Sequence, residues 1–485
     1  MLKLTIFCIF LIFSTKADVP CIDKDIISDG VWPIGATDMV QLPTNYYCFL
    51  NFVIPDGFIL KMTVSAKISD GDTVVVYTGT PSSGYNFPTG NTLKIFPAKK
   101  AQFVAKTSTD QSSILVKYQF VDVRNFGKVQ MKTGDYMKLV LTNNTFYTFT
   151  SDNNDKVSLT ADKEDIMDNM NWQYFLYDGD NLSAPYLGQL EKSSTPVLVS
   201  SGKSLTIVNF YNTPSSWWVI ANDKSKVDIY KTYDLIFTNS TLSNIQTYDN
   251  SGDKAAAYTI ICTDCFENHI ESINFGASHV GGLPEVDIFP MSPTHNLAAA
   301  LAYSTNYSTN TLPQKIPAPM FTMVVANVKV TIKFTPNLPT WEVPMANRKI
   351  VIYSPTWWQP GTNASPGYDY HFHAFGALTY TMFINEFRIG ASGEKMVLVI
   401  GNENENPVTN ETFDCGRFEH CVTYFPSPYI GTAQNLKLTY LGSSPLSRTQ
   451  VTITITDSME TTTKIGARVD LLFGILIALI SVLLC

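Results

Sequence analysis

The stretch DTVVVYTGTP, residues Asp72–Pro81, is the most informative part of this chain for its fold. Its centre, Thr73–Tyr77, is β-branched and apolar, and Asp, Gly and Pro residues bound it, as in a strand between turns. Further runs of this kind are Ile114–Phe120, Val328–Phe334, Met396–Ile400 and Val451–Thr456. Strands at short intervals with turn residues between them predict an all-β chain of tandem antiparallel β-sandwiches.

The same pattern returns about one hundred residues later, which indicates an internal repeat. In WQYFLYDGDNLSAP, residues Trp172–Pro185, Tyr177 and Gly179 take the places of Tyr77 and Gly79 in the first copy. Each copy is followed by a variable stretch and another apolar strand. The repeat therefore predicts two successive domains of similar fold.

Helical patterns are few. We predict short helices over Thr160–Asn169 and Asn296–Tyr303, and Pro-rich joins at Leu312–Pro319 and Thr335–Pro339 mark two further modules. The predicted organisation is a signal peptide at 1–17, sandwiches at 18–123 and 124–232, β-rich modules at 233–335 and 336–457, and an attachment signal at 458–485.

The amino-terminal residues have the pattern of a secretory signal. One charge at Lys3 precedes the apolar run Leu4–Phe13, and small residues follow up to Ala17. We therefore expect the chain to enter the secretory pathway.

The residues Leu471–Cys485 (LLFGILIALISVLLC) are uncharged and, apart from Ser481, apolar, whereas a membrane span usually needs about 20 apolar residues. The polar spacer Asp457–Thr463 precedes them, as in a signal for glycosylphosphatidylinositol (GPI) attachment. We expect the tail to be replaced by a GPI anchor at Ser458 or Gly466, on the outer face of the plasma membrane. A short, tilted membrane span is the alternative.

Composition excludes two classes of protein. The chain is 45% hydrophobic and only 16% charged, which is typical of a folded ectodomain and not of a disordered one. The formal net charge of −8 and the absence of a basic run argue against a nucleic acid partner.

No sequence motif for a nucleophile elbow, a zinc protease or a phosphate-binding loop is present. We therefore predict no catalytic residue and no cofactor.

Six cysteines remain once Cys8 in the signal and Cys485 in the tail are set aside. An even number in an oxidising compartment predicts three disulfides, with fifteen possible connectivities. Proximity favours the pairs Cys21–Cys48, Cys262–Cys265 and Cys415–Cys421. An exchange between the last two pairs is the alternative.

Asn-x-Ser/Thr sites are also present. In a secreted chain they predict N-glycosylation in surface turns. The predicted acceptors are Asn143, Asn181, Asn239, Asn306, Asn363 and Asn410.

The residues on both sides of the strand Thr73–Tyr77 resemble the CUB-like domain found in nematode surface proteins. The resemblance rests on Tyr47-Cys48 followed by Pro55-x-Gly57, on Asp72–Tyr77 and on Ile114–Phe120, after Cys21 and Trp32-Pro33. It covers about Cys21 to Val123, roughly a fifth of the chain. In the second copy, Tyr177-Asp178-Gly179 is similar to the centre of an ordinary CUB domain.

This resemblance implies an antiparallel β-sandwich with a Cys21–Cys48 disulfide. It also implies a non-catalytic extracellular role. Members of the family are often predicted to carry GPI anchors, and many are associated with responses to pathogens or stress. The resemblance therefore implies an anchored protein, expected in the membrane raft, with an innate immune or stress role.

A calcium site needs several oxygen ligands, preferably charged. The first copy has Asp72 but Thr78 in the turn, and the second has Asp178 but Trp172 at the earlier position. Because the carboxylate pair is split between the copies, we expect turn carboxylates that bond to local backbone and no metal site.

Two histidine and cysteine patterns have possible chemical roles. Cys262-Thr-Asp-Cys265 has redox spacing, but it follows a strand and not a helix start, so a structural disulfide is expected. His371 and His373 would lie on one face of a strand, yet no third metal ligand is identifiable. We interpret them as surface or core-edge residues.

The dipeptides Trp217-Trp218 and Trp357-Trp358 are unusual. Neighbouring residues of a strand point to opposite faces, so at most one tryptophan of each pair would enter a given core. Structural packing is the favoured interpretation, and binding of a sugar or a protein is the alternative.

The sequence predicts non-catalytic recognition of a protein or glycan, with a hydrolase on the modules after residue 235 or a structural coat protein as alternatives.

Overall fold

The computed structural model describes most of the chain between residues 19 and 458. The described residues are 19–78, 84–139, 144–161, 173–190, 198–211, 218–241, 243–250, 254–278, 283–305, 309–362, 364–402, 406–414 and 428–458. The chain divides into two compact units, one of 1–132, 138–157 and 166–217 and one of 133–137, 158–165 and 218–485.

Residues 19–123 form a sandwich of two antiparallel sheets. Its strands are β1 Gly30–Trp32, β2 Val40–Gln41, β3 Tyr47–Val53, β4 Phe58–Lys67, β5 Thr73–Tyr77, β6 Gly84–Asn86, β7 Gly90–Phe96, β8 Lys100–Lys106 and β9 Ser113–Asp122. One sheet has the order β1-β9-β4-β7, with β2 also paired to β9, and the other has the order β3-β8-β5-β6. The predicted strands over 73–77 and 114–120 are therefore interior strands of different sheets.

Strand alternation builds the core of this sandwich. In β3, Leu50 and Phe52 are buried, whereas Tyr47 and Phe49 on the other face are exposed, as a period of two requires. Trp32 is fully buried in the same cluster. Burial of a large apolar side chain contributes about 1.5–3 kcal/mol, so these inward side chains hold the two sheets together.

The next strands form two further sheets. They are β10 Gly127–Lys132, β11 Tyr136–Lys138, β12 Thr145–Thr150, β13 Val157–Ala161, β14 Tyr174–Tyr177, β15 Tyr186–Gln189, β16 Ser204–Asn209 and β17 Trp218–Asp223. The sheet orders are β10-β12-β16-β14-β15 and β11-β17-β13, and β10 runs parallel to β12. Within the first unit, Phe175 and Val208 pack with Ile59 and Ile95, whose backbone N–H donates to the Tyr211 hydroxyl at 3.0 Å.

The second unit continues with a sheet pair. Its strands are β18 Tyr233–Thr238, β19 Asn244–Asn250, β20 Ala256–Cys262, β21 Asn268–Ser278, β22 Glu285–Pro290, β23 Leu301–Ser304, β24 Gln314–Ile316, β25 Met320–Ala326 and β26 Val328–Thr335. The orders are β18-β20-β25-β22-β23 and β19-β26-β21-β24, with β18 parallel to β20. One apolar cluster contains side chains from both sheets.

The last sheet of the second unit has six antiparallel strands. They are β27 Lys349–Tyr353, β28 Tyr368–Arg388, β29 Lys395–Gly401, β30 Thr409–Asp414, β31 Tyr429–Leu441 and β32 Arg448–Asp457, in the order β27-β32-β28-β31-β29-β30. The described helices are short: α1 Lys224–Val227, α2 Pro355–Trp358, and 3₁₀ turns at Pro293–His295, Thr309–Thr311 and Pro339–Glu342.

The all-β fold class predicted from the sequence is confirmed, but a predicted helix is wrong. Leu301–Ser304 forms β23, which pairs with β22, and the left-handed residue Asn296 begins no helix. The other predicted helix begins at Thr160, which lies in β13, and its remainder from residue 162 lies outside the described residues.

Candidate functional site

The outward face of the sheet β3-β8-β5-β6 forms a surface groove on the first sandwich. Residues of the three longer strands line a cavity of about 970 Å³ that is open to solvent. Strand pairing sets their side chains in cross-strand rows, which are Tyr47–Lys106–Thr73, Phe49–Val104–Val75, Asn51–Gln102–Tyr77 and Val53–Lys100. We call this surface the outer face.

Aromatic side chains form one end of the outer face. Tyr47 is 62% exposed and Phe49 is 42% exposed, and their ring centroids lie 6.4 Å apart. Neither ring enters the core, because Cys48 between them takes the inward position. Exposed rings that a sheet holds in place lose little conformational entropy when a ligand stacks on them.

Amide and lysine side chains supply the polar part. Gln102 donates from Nε2 to Asn51 Oδ1 at 3.0 Å, which fixes both amides across the strand pair. Lys100 and Lys106 are exposed on β8, and Lys99 forms an exposed ion pair with Asp56 at 3.3 Å. In a chain of net charge −8, this face gathers positive charge.

Tyr77 closes the groove on the side of β6. A Cβ atom at Gly84 would lie 2.6 Å from Tyr77 Cε1 and 2.8 Å from Val75 Cγ1. Glycine is therefore required at this position for the ring of Tyr77 to lie flat across the neighbouring strand.

The lining of the groove has the side chains of a binding surface. Asp25 is the carboxylate among its lining residues, and the described lining includes no histidine or cysteine. Stacking rings, fixed amides and lysines can bind a polar or acidic ligand.

Asp72, one of the two candidate calcium ligands, is buried and accepts hydrogen bonds from one loop. Its Oδ1 accepts from the Ser108 N–H at 2.7 Å and Oγ at 3.0 Å. Its Oδ2 accepts from Thr109 Oγ1 at 2.8 Å and Ser112 Oγ at 2.6 Å. Burial alone would raise the pKa of Asp72, but hydrogen bonds from Ser112, Ser108 and Thr109 outweigh it and hold this pKa far below its usual range. Both oxygens of the carboxylate therefore accept hydrogen bonds from the loop between β8 and β9 and hold it in place.

The second candidate ligand, Asp178, has a similar role but accepts fewer hydrogen bonds in the described residues. It is half-buried, and its Oδ1 accepts a hydrogen bond from the Ser201 N–H at 2.7 Å. Both aspartates therefore bond local backbone or hydroxyl groups. Glu394 in the second unit is a buried carboxylate of the same kind, since it accepts from the N–H groups of Ser443 and Ser444, each at 2.6 Å.

Two of the predicted cysteine pairs fall in described residues. Cys21 and Cys48 form a disulfide, which confirms that pairing, and Cys262 and Cys265 are joined as well. Asp264 lies close to the second pair, but sulfurs in a disulfide are not available as thiolate metal ligands. The predicted pair Cys415–Cys421 lies outside the described residues.

His371 and His373 are exposed on one face of β28. His373 Nδ1 is bonded to Asn435 Oδ1 at 2.5 Å. Within the residues that the structure describes, no cluster of potential metal ligands includes either histidine. His269, by contrast, is buried, and this burial together with nearby Lys315 lowers its pKa to about 4.

The tryptophan dipeptides do not form exposed pairs in the described residues. Trp357 and Trp358 lie in α2 and not in a strand, so the premise of alternating faces was wrong for them. Trp358 is fully buried, and half-buried Trp357 donates from Nε1 to Glu386 at 2.9 Å. Trp218 packs on Tyr136, with ring centroids 5.8 Å apart. Trp217 lies outside the described residues.

The modification sites are distributed between described and undescribed residues. Asn181 and Asn410 are exposed, and Asn239 is half-buried. Ser458 follows the last strand directly. The calls outside the described residues are the signal peptide, Asn143, Asn306, Asn363 and Gly466. Among the residues that the structure describes, no helix is long and apolar enough to cross a membrane.

A family model of the CUB-like domain matches residues 17–124. The first sandwich is therefore a CUB-like domain, as the resemblance implied, and this class together with the Cys21–Cys48 disulfide suggests an extracellular or secreted protein. The same class suggests a non-catalytic surface or recognition protein. No curated protein matches the chain.

Solved structures also show similarity. The CUB1-EGF-CUB2 domains of rat MASP-1 are 10% identical with a TM-score of 0.18, over 64% of this chain and 99% of that one. The corresponding human MASP-1/3 domains are 12% identical with a TM-score of 0.15, over 38% of this chain and 94% of that one. The extracellular region of zebrafish Gpr126/Adgrg6 is 10% identical with a TM-score of 0.18, over 66% and 53%. TM-scores this low leave the family model as the evidence for the class.

The sequence analysis missed the outer face. Its signal was present as the alternation of Tyr47–Val53 and Lys100–Lys106, whose outward positions are aromatic, amide and lysine residues. What the sequence does not reveal is that β3, β8 and β5 are neighbours, because their pairing joins segments far apart in the chain.

Proposed function

We propose that this protein is a GPI-anchored, N-glycosylated surface protein that recognises an acidic glycan through the outer face of its CUB-like domain. Its task in this proposal is recognition in surface defence, in an innate immune or stress response. The observation that carries the proposal is the open groove in which exposed rings, fixed amides and lysines lie together.

The chemistry of the groove favours a glycan with acid groups. Sugar rings stack on aromatic faces, and their hydroxyls exchange hydrogen bonds with amides such as Asn51 and Gln102. Lys100 and Lys106 would attract carboxylate or sulfate groups, and this attraction weakens as salt screens it. A protein ligand is the other outcome of the test.

Replacing Tyr47 with alanine is expected to weaken glycan binding about tenfold, which corresponds to the loss of about 1.4 kcal/mol of stacking. Lys106→Ala is expected to weaken binding and to reduce its salt dependence. The measurement is binding of the full chain to an immobilised panel of acidic and neutral glycans. Lys117→Ala, an exposed lysine on the opposite sheet, is the matched control and should bind as the wild type does.

Equal glycan binding by the Tyr47→Ala variant and the wild type would show that the outer face is not the binding site. Binding to neutral glycans alone would show that the lysines do not contribute to recognition. Binding to no glycan, with binding to a surface protein lost on Tyr47→Ala, would replace the glycan by a protein ligand.

The anchor is tested separately. Treatment of intact cells with a phosphatidylinositol-specific phospholipase is expected to release the protein, because a polar spacer followed by an apolar run is the pattern of a GPI-attachment signal. A mature protein that stays on the cells and retains Cys485 in mass spectrometry would establish the spanning alternative instead.

A further inference from the structure

Strand β28 contains a large bulge. Its residues Tyr368–His373 pair with β31 as far as Asn435, and the pairing resumes with Leu378 opposite Ala433. Four residues, 374–377, therefore face the single residue Gln434 of the partner strand. Extra residues on one strand cannot join the ladder, so they project from the sheet.

The projecting residues are apolar and uncharged. The sequence of the bulge is Ala374-Phe375-Gly376-Ala377. Ala374 is buried at its base, whereas Phe375 is 99% exposed. Leaving a phenylalanine in water forgoes about 1.5–3 kcal/mol that its burial would contribute.

The bulge lies at the point where the chain leaves the last sheet. Leu378, its next residue, pairs with Asp457, the final residue of β32. Thirteen residues, 458–470, separate the end of β32 from the apolar tail 471–485, and the polar spacer Asp457–Thr463 covers the first part of this segment. A segment bound to a membrane through this tail begins beside Phe375.

A neighbouring loop brings a second apolar side chain to the same end of β29. The Gln434 N–H donates to Asn402 Oδ1 at 3.0 Å. Because Gln434 is the residue opposite the bulge, the loop that begins after Gly401 lies at the same end of the sheet as the bulge. Val408 in the described part of that loop is 60% exposed, and its N–H donates to the Ile400 carbonyl at 2.7 Å.

We propose that the Phe375 bulge is a second membrane contact, with its ring in the interface between headgroups and acyl chains of the bilayer to which the segment after β32 attaches the chain. This proposal rests on the membrane attachment of the tail and not on whether that tail is a lipid anchor or a span. The expected surface is zwitterionic, because the bulge has no lysine or arginine to pair with anionic lipid.

One aromatic ring is a weak membrane anchor by itself. The tether changes this, because it keeps the bulge at a high effective concentration next to the lipid, so a weak contact becomes largely occupied. The contact would fix the orientation of the last sheet on the membrane, because it adds a second point of attachment.

The test is hydroxyl-radical oxidation of the full chain bound to phosphatidylcholine vesicles and recovered by flotation. Phe266, which is 88% exposed, is the internal control, since the two phenylalanines have similar exposure and the same chemistry. We expect oxidation of Phe375 to be at least fivefold slower than that of Phe266 on vesicles. In a Phe375→Ala variant, which removes the contact, the chain should still float through its tail.

Equal oxidation of Phe375 and Phe266 in floated protein would overturn the second contact while leaving membrane attachment intact. Failure of the wild-type chain to float would overturn the membrane attachment and with it this inference. Loss of flotation in the Phe375→Ala variant alone would show that the tail is not the primary anchor, which also contradicts the scheme.

Discussion

Replacing Asp72 with alanine is expected to lower the free energy of unfolding of the first sandwich by about 4 kcal/mol. The variant leaves the Ser108 N–H without its acceptor and also removes the acceptor of the Ser112 hydroxyl, which is buried away from water. A hydrogen bond to a charged group contributes about 1.5–3 kcal/mol, and such contributions within one network are not additive. Hydrogen exchange of peptides from β8 and β9 in the full chain measures this loss.

Asp178→Ala is the control, because this aspartate, which takes the place of Thr78 in the second copy, is also partly buried but holds one backbone N–H. It should cost about 1 kcal/mol. The pKa of Asp72 is lowered in the folded chain, so its contribution is complete above the unfolded pKa of about 4 and is lost as pH falls further. A stability gain on adding calcium to the wild type, lost in Asp72→Ala, would contradict the purely structural role.

Replacing Arg348 with methionine is expected to destabilise the last sheet by about 3 kcal/mol. Arg348 is 3% exposed, and its guanidinium donates to the carbonyls of Trp341 at 2.8 Å, Val343 at 2.9 Å and Pro313 at 3.0 Å. Burial lowers its pKa to about 10, so it remains charged at neutral pH. Methionine would preserve the aliphatic packing but would leave three carbonyls without these donors.

Hydrogen exchange at the start of β27 provides the measurement, since Arg348 immediately precedes this strand. Arg388→Met, an exposed arginine at the end of β28, is the control and should change stability by less than about 0.5 kcal/mol. If the Arg348→Met variant had the same free energy of unfolding as the Arg388→Met variant, the three hydrogen bonds to carbonyls would not contribute to stability.

The strands that the sequence predicts best are those with a strong local pattern. Thr73–Tyr77 coincides with β5, because a β-branched run bounded by turn residues has few alternatives to an extended backbone. The repeat is visible for the same reason, and Tyr77 and Tyr177 are each the last residue of a strand that has a partner on both sides.

Asn296–Tyr303 shows how a local pattern misleads. Alanines between apolar residues fit a helical period, yet Leu301 and Tyr303 are buried and Ala302 is exposed, which is the period of a strand. Pairing with β22 supplies the backbone hydrogen bonds and overrides the helix propensity of alanine. The α2 helix had a signal that we did not use, a serine followed by Pro355 at its first position.

The outer face and the Phe375 bulge depend on pairing between distant segments. The rings of Tyr47 and Phe49 join the lysines of β8 because the register aligns residues more than fifty positions apart. Likewise, Phe375 is exposed because β31 has one residue where β28 has four. Alternation along one strand predicts which side chains point outward, but not which outward side chains meet.

Hydroxyl-radical footprinting of the full chain with the glycan that binds it most tightly tests the recognition face most directly. The account predicts slower oxidation of Tyr47 and Phe49 on binding, with Phe266 unchanged, because the rings of the outer face are covered by the ligand. Unchanged oxidation of Tyr47 and Phe49, together with protection of side chains within residues 233–457, would contradict it and place the binding site on the modules where the hydrolase alternative locates its chemistry.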